Sequence, residues 1–416
     1  MRIVRGRAFY RGRVEPLDLG IEDGTIVTIK KHLLGDDVED HGDSLILPGC
    51  LDLHVHLRDP GLTEKEDFAH GTASAVLGGV TAVVDMPNTK PPVTTREALE
   101  AKSRIARGRA SADYGLYAAP LSPASVPRLA GATGFKVYMA ETTGGLLVDE
   151  HELPGILDAA SSLRKLVVAH AEDPRAFRAP KAKGLEGHCQ ARPKEAEVEA
   201  VKTLARIRGS ARLHVAHVTC VEALDALPVG ITTEVTPHHL LLDWRRPLGA
   251  FGKVNPPLRA PEDREALWKA FVDGRIDIVA SDHAPHTREE KEEPFEEAPA
   301  GIPGIATSFP LLLRLVRSER LPLERLVAAM ATRPAELLGV SKGAIEVGRD
   351  ADLIVVDPRR IEPVTAKRVR YKCGWTPFEG MEAIFPHTVY LRGEAVVEDG
   401  EPVGEGVGQP LTPSPE

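Results

Sequence analysis

A (β/α)8 barrel of the TIM type, carrying a small β-sandwich domain built from both chain termini, is the fold this sequence predicts. Three observations predict it. Eight short apolar runs alternate with helix-patterned stretches through the middle of the chain. Both ends are β-rich and broken by Gly and Asp-Gly. Polar residues able to do chemistry recur where the apolar runs end, and in a barrel those ends share one face. The same alternation also allows an open doubly wound sheet.

The N-terminal stretches "RIVRGRAFY", "VEPLDLGIEDGTIVTIK" and "DSLILPG" read as short strands, and "GAIEVGRDADLIVVDP" and "HTVYLRGEAVVEDGEPV" answer them near the C-terminus. We therefore expect residues 1–46 and 344–403 to form the small domain, 47–343 the barrel, and 404–416 a loose tail. The eight apolar runs are 51–57, 80–86, 114–119, 134–139, 165–170, 212–218, 231–236 and 276–281. "EKEDFAHGTASAVLGG", "TREALEAKSRIARG" and "PKEAEVEAVKTLARIRG" carry helix patterning between them.

Composition narrows the function. With 416 residues, 42% hydrophobic and 27% charged, the chain is an ordinary globular one. A net charge of −9 argues against a nucleic-acid surface. The charged N-terminus lacks a signal-peptide core, and no apolar run reaches membrane-spanning length. Cys50, Cys189, Cys220 and Cys373 are scattered, as expected of reduced thiols in a cytoplasmic protein.

Chemistry concentrates at the run ends. In "LDLHVHLRDPG", Asp52, His54 and His56 share one face of a strand and the leucines and Val55 the other. Two imidazoles so spaced suit one cation, and they equally suit a metal-free hydrogen-bonded pair. His170, His217 and Asp282 also stand at run ends, and the five together point to a metal site. His214, three residues before His217, is expected to face the other side of its strand and to be structural. Lys136 interrupts the apolar "GFKVYM". Either it snorkels or pairs with an acid, or CO2 carbamylates it, giving an anion whose two oxygens can bridge two metals.

The segments "PGCLDLHVHLRDPG", "DMPNTKPP", "GFKVYMAETT", "VVAHAED", "LHVAHVT", "EVTPHHLLL", "KVNPPLR" and "SDHAPHTREEK", in this order, resemble the dihydroorotase family of the amidohydrolase superfamily. The resemblance spans nearly the whole chain and implies two Zn2+ per subunit. His54, His56 and Asp282 would hold one, His170 and His217 the other, with carboxylated Lys136 and a hydroxide bridging them. Arg58 and Asn88 would bind the substrate carboxylate with help from His286, because a guanidinium fork matches a carboxylate. Asn255 and the backbone at Ala300 and Gly301 would contact the ring, and Thr142 and Thr143 would sit on a lid. The implied reaction is reversible cyclisation of N-carbamoyl-L-aspartate to L-dihydroorotate in de novo pyrimidine biosynthesis, with Asp282 as proton shuttle. Hydantoinase and allantoinase chemistry is the enzymatic alternative, and an inactive scaffold bound to aspartate transcarbamoylase is the non-enzymatic one. A homodimer and a complex with that transcarbamoylase are the partners the resemblance allows, with no nucleic acid and no membrane.

Overall fold

The computed structural model describes residues 1–142, 144–404 and 406–412. The chain opens with strands β1 (Arg2–Tyr10), β2 (Arg13–Glu22), β3 (Thr25–Lys30) and β4 (Val38–Pro48). The barrel strands follow: β5 (Cys50–Val55), β6 (Val80–Asp85), β7 (Asp113–Ala118), β8 (Gly134–Tyr138), β9 (Leu166–His170), β10 (Arg212–Val215), β11 (Thr232–Val235) and β12 (Ile278–Val279). After them come β13 (Leu353–Val356), the small pair β14 (Glu362–Pro363) and β15 (Glu382–Ala383), β16 (Thr388–Leu391), β17 (Glu394–Glu398) and β18 (Glu401–Pro402).

Strands β5 to β12 lie side by side in sequence order, every neighbouring pair parallel. A bridge between Val55 and His283, with His56 N–H donating to His283 O at 2.7 Å, joins the first strand to the segment after the last. The sheet closes, and the fold is the (β/α)8 barrel rather than the open sheet. Six of the eight apolar runs contain one of these strands, and β5 and β7 begin one residue ahead of theirs. Helices Phe68–Leu77, Arg96–Ala106 and Lys194–Ile207 fall within the three helix-patterned stretches. The first two start where a side chain caps the free N–H groups, Asp67 accepting from His70 N and Thr95 from Ala98 N. Packed side chains inside the barrel and crossover helices outside it cover both faces, which explains why barrel strands such as β6 are buried throughout and read as continuous apolar runs.

Both chain ends contribute to one further eight-stranded sheet, ordered β18-β17-β16-β13-β4-β1-β2-β3. Val4, Leu19, Ile26, Ile46, Leu353 and Tyr390 belong to a core of their own in it. Strand β4 passes almost directly into β5, so the sheet and the barrel share a continuous backbone at Gly49.

The C-terminal segment departs from expectation. Residues 407–411 are docked, not loose. Tyr114 N–H donates to Gln409 O at 2.9 Å and Leu411 N–H to Tyr114 O at 2.8 Å, which adds the segment alongside β7. Gly-Gln-Pro looks like a tail in sequence, but unpaired backbone groups of β7 are open to it and backbone pairing needs no particular side chain.

Candidate metal centre

The barrel's C-terminal rim delivers the polar residues to one place. His54 is next to last in β5 and His56 and Arg58 follow the strand, while Lys136 sits in β8 and His170 ends β9. His217 and Asp282 lie just beyond β10 and β12. Arg58, His217 and Asp282 adopt φ of 62°, 39° and 44°. For non-glycine residues such left-handed backbone costs about 1–3 kcal/mol each and collects at functional sites. Here it turns side chains that have just left a strand back into the barrel mouth. The loop after β5 is anchored by Leu57 N–H donating to Asp85 Oδ1 at 2.7 Å, and Asp85 is itself paired with the fully buried Lys102.

His54 Nε2 and His56 Nε2 lie 3.4 and 3.1 Å from Asp282 Oδ1. His170 Nδ1 lies 3.0 Å from His217 Nε2. His54, His217 and Asp282 each offer a ligand atom, all within 4.8 Å of one another. Burial would raise the Asp282 carboxyl, but His54 and His56 outweigh it and hold it well below the usual carboxylate range. The remaining nitrogens of three imidazoles are tied from outside. Glu234 Oε1 accepts from His54 Nδ1, Asn88 Oδ1 from His56 Nδ1 at 2.6 Å, and Glu172 Oε2 lies 2.8 Å from His170 Nε2. Such outer partners fix ring orientation and tautomer at metal sites.

Sequence reading missed Glu234 and Glu172. Both are fully buried acids, one interrupting the apolar run "ITTEVT" and one two residues after His170; an acid inside an apolar run was the available signal for Glu234, and Glu172, beyond the strand end, had none. Glu234 also corrects the expectation for His214. Its Oε2 lies 3.1 Å from His214 Nε2 while its Oε1 holds His54, so His214 stands on the inner side of the barrel, one layer below. The alternation argument failed because β10 ends at Val215, and the left-handed turn at His217 breaks the strand parity.

Lys136 is 1% exposed and, among the described residues, its Nζ has no hydrogen-bond partner. Burial lowers its ammonium to about 8. His217 Nδ1 is likewise buried without a partner. A buried amine and a buried imidazole nitrogen left unbonded beside converging histidines and a carboxylate are the donor set that a cation, with a modified lysine, would complete.

A cavity of about 250 Å³ opens on these groups. The six expected ligands line it, with Arg58, Asn88, Asn255, Ala300, Gly301 and Thr142, and also Tyr138, Glu141, Ala284 and Pro299, which sequence reading did not single out. Thr143 lies outside the described residues. Arg58 is 3% exposed, and among the described residues it forms no ion pair; its Nε donates to Pro285 O at 3.1 Å. Asn255 Oδ1 lies 2.9 Å from His188 Nε2. His286 stands behind the wall, its Nε2 3.2 Å from both Ala300 O and Arg58 Nη2.

Residues 45–396 match the model of the amidohydrolase family. This chain belongs to the amidohydrolase family. It is 38% identical to a dihydroorotase of Methanosarcina acetivorans, across 98% of this chain and 94% of that protein. It is 39% identical to a dihydroorotase of Halobacterium salinarum, across 97% and 98%. Among solved structures, this amidohydrolase superposes on an L-hydantoinase (dihydropyrimidinase) from Arthrobacter aurescens with a TM-score of 0.93 at 31% identity, across 99% of both chains. A D-hydantoinase from Thermus sp. gives 0.90 at 29%, across 99% and 98%. Among the described residues no helix is long and apolar enough to cross a membrane.

Proposed function

We propose that this amidohydrolase acts as a dihydroorotase, interconverting N-carbamoyl-L-aspartate and L-dihydroorotate in pyrimidine synthesis. The observation that carries the reading is Arg58: a buried guanidinium without an ion pair among the described residues, on the wall of the pocket that holds the metal-type donors. A buried cation is costly unless an anion comes to it. L-Dihydroorotate brings a ring carboxylate; hydantoin and allantoin do not. The full-length likeness to dihydroorotases supports the same choice, although the superposed structures are hydantoinases.

His54, His56 and Asp282 would hold one zinc, His170 and His217 a second, and carboxylated Lys136 would span them. When bound, zinc polarises a carbonyl and brings the pKa of water to about 7. The chain's own residues do the rest. Arg58 meets the substrate carboxylate with its fork, and Asn88 offers its amide N–H, since its oxygen is engaged by His56. Asn255 and the 300–301 backbone hold the ring. In hydrolysis, Asp282 takes the proton of the attacking water and passes it to the departing ring nitrogen; in cyclisation the order reverses. The reading carries with it a cytoplasmic location, the division into 1–46 plus 344–403 and 47–343, and two candidate partners: a second copy of the chain and aspartate transcarbamoylase.

The test is hydrolysis of L-dihydroorotate by purified protein before and after chelation, with zinc measured on the same sample and hydantoin and allantoin run beside it. Activity on L-dihydroorotate alone, lost on chelation and restored by zinc at about two per chain, is expected. Turnover confined to the other ureides would replace this reading with the hydantoinase one.

A further inference from the structure

Two lysines in the segments that carry the family resemblance have no part in the chemistry above: Lys253 of "KVNPPLR" and Lys291 of "SDHAPHTREEK". Both reach the loop that follows helix Arg288–Glu292. Lys253 Nζ donates to Phe295 O at 2.7 Å, Glu296 O at 3.2 Å and Ala298 O at 2.7 Å. Lys291 Nζ donates to Pro299 O at 2.8 Å, Gly301 O at 3.1 Å and Lys253 O at 3.3 Å. Gly301 N–H closes the set by donating to Lys253 O at 2.9 Å. Each ammonium thus places its three protons on main-chain carbonyls, and neither forms an ion pair among the described residues.

Lys291 is 1% exposed. A buried ammonium without a carboxylate is a costly way to fill space, and an apolar side chain would fill it at lower cost. What the two lysines hold accounts for them. Residues 293–307 belong to no helix or strand, and a stretch of that kind keeps its shape only through contacts such as these. Pro299, Ala300 and Gly301, in its middle, line the cavity, and Lys291 does not. Lys291 draws the carbonyls on either side of Ala300 away from the cavity, and Lys253 O takes the Gly301 N–H. Among the described residues the Ala300 N–H has no acceptor. Burial and the Lys253 charge lower the Lys291 ammonium to about 7, with Glu290 opposing them; three carbonyls that can only accept favour its protonated form.

We propose that Lys253 and Lys291 are positioning residues, a two-lysine clamp on main-chain carbonyls that fixes the 299–301 wall and through it the affinity for substrate, while touching neither substrate nor metal. The proposal rests on the dihydroorotase reading for the identity of the substrate, and on the hydrogen-bond geometry alone for the clamp.

The experiment pairs two readouts on the zinc-loaded, full-length protein: amide hydrogen–deuterium exchange, which reads the loop, and steady-state kinetics on L-dihydroorotate, which read the site. K291M and K253M should each quicken exchange across 295–302 and leave exchange in the barrel strands unchanged. Each should raise KM about tenfold or more, the effect of losing a charge-assisted hydrogen bond, with zinc content unchanged and kcat within about threefold. K253M, at a half-buried position, carries the test should K291M fail to fold. A lysine that served stability alone would lower the unfolding temperature and leave KM where it was. Unchanged exchange across 295–302, or faster exchange there at constant KM, overturns the proposal. Should the unaltered protein leave L-dihydroorotate intact, the functional reading falls by itself; exchange then decides the clamp, and KM is read on the ureide that is turned over.

Discussion

Asp282 is the residue asked to do most. It touches both His54 and His56 and keeps its charge against burial. D282A removes a ligand and the proton shuttle together, so kcat should fall by at least about a hundredfold, the lower end of what general acid–base groups contribute, while the far-ultraviolet circular dichroism stays that of the folded barrel. Near-normal turnover would sink the mechanism. Arg58 separates binding from metal chemistry. R58M should raise KM for L-dihydroorotate sharply and leave bound zinc as it was, measured by kinetics and metal analysis on one preparation. Loss of zinc would place Arg58 in the metal centre instead. These residues were legible in the sequence because each stands where an apolar run ends. The partners of Glu234 and Glu172 were not, because an acid that serves a histidine through space leaves no spacing of its own.

Elements decide where those side chains point. Left-handed turns at Arg58, His217 and Asp282 bring three separate strand ends toward one cavity. The segment 299–301 forms the opposite wall and is held from behind by Lys291 Nζ, which donates to Pro299 O at 2.8 Å and Gly301 O at 3.1 Å. Gly301 sits at φ 141°, and a Cβ would meet Ala284 O at 2.5 Å. Only glycine takes that conformation without strain. G301V should therefore lower kcat/KM by about tenfold or more, about 1.4 kcal/mol of lost transition-state binding, without loss of zinc, because it displaces the wall and crowds His286 rather than the ligands. Wild-type kcat/KM in this variant would show that the 299–301 wall plays no part in catalysis.

At the scale of the molecule, the barrel and the terminal sheet are pinned together by one buried cation. Lys342 Nζ lies 2.7 Å from Asp113 Oδ2, at the start of β7, and 2.8 Å from Asp350 and Asp352 beside β13. Arg392 joins the same cluster through Asp113 and donates its backbone N–H to Asp352, and Gln409 N–H of the docked C-terminal segment reaches Asp113 at 2.8 Å. K342M leaves three crowded carboxylates with Arg392, on Asp113, as their remaining cation and should destabilise the fold by about 3–5 kcal/mol, read from guanidinium unfolding at neutral pH. Burial alone would lower the Lys342 ammonium; Asp352, Asp113 and Asp350 outweigh it and raise it above its ordinary value. With a folded-state pKa above the unfolded one, the contribution is complete below about pH 10.4 and is lost as the pH rises through the folded-state value. The gap between wild type and K342M should accordingly narrow in strongly alkaline buffer and stay constant from neutral to mildly alkaline pH.

The order of apolar runs and helix-patterned stretches, and the chemistry at the run ends, are local properties, and the sequence by itself determined them: eight barrel strands, β-rich ends, and six candidate ligands in a fixed order. Tertiary structure decided what depends on contacts between residues far apart in the chain. It closed the sheet at Val55 and His283. It turned His214 inward through Glu234, 20 residues on, and joined Lys65 to Glu290, 225 residues away. It also docked the C-terminal segment on β7. Strand period and residue type can be read along a chain, but a hydrogen bond across the barrel is set by closure and packing, which no local pattern records.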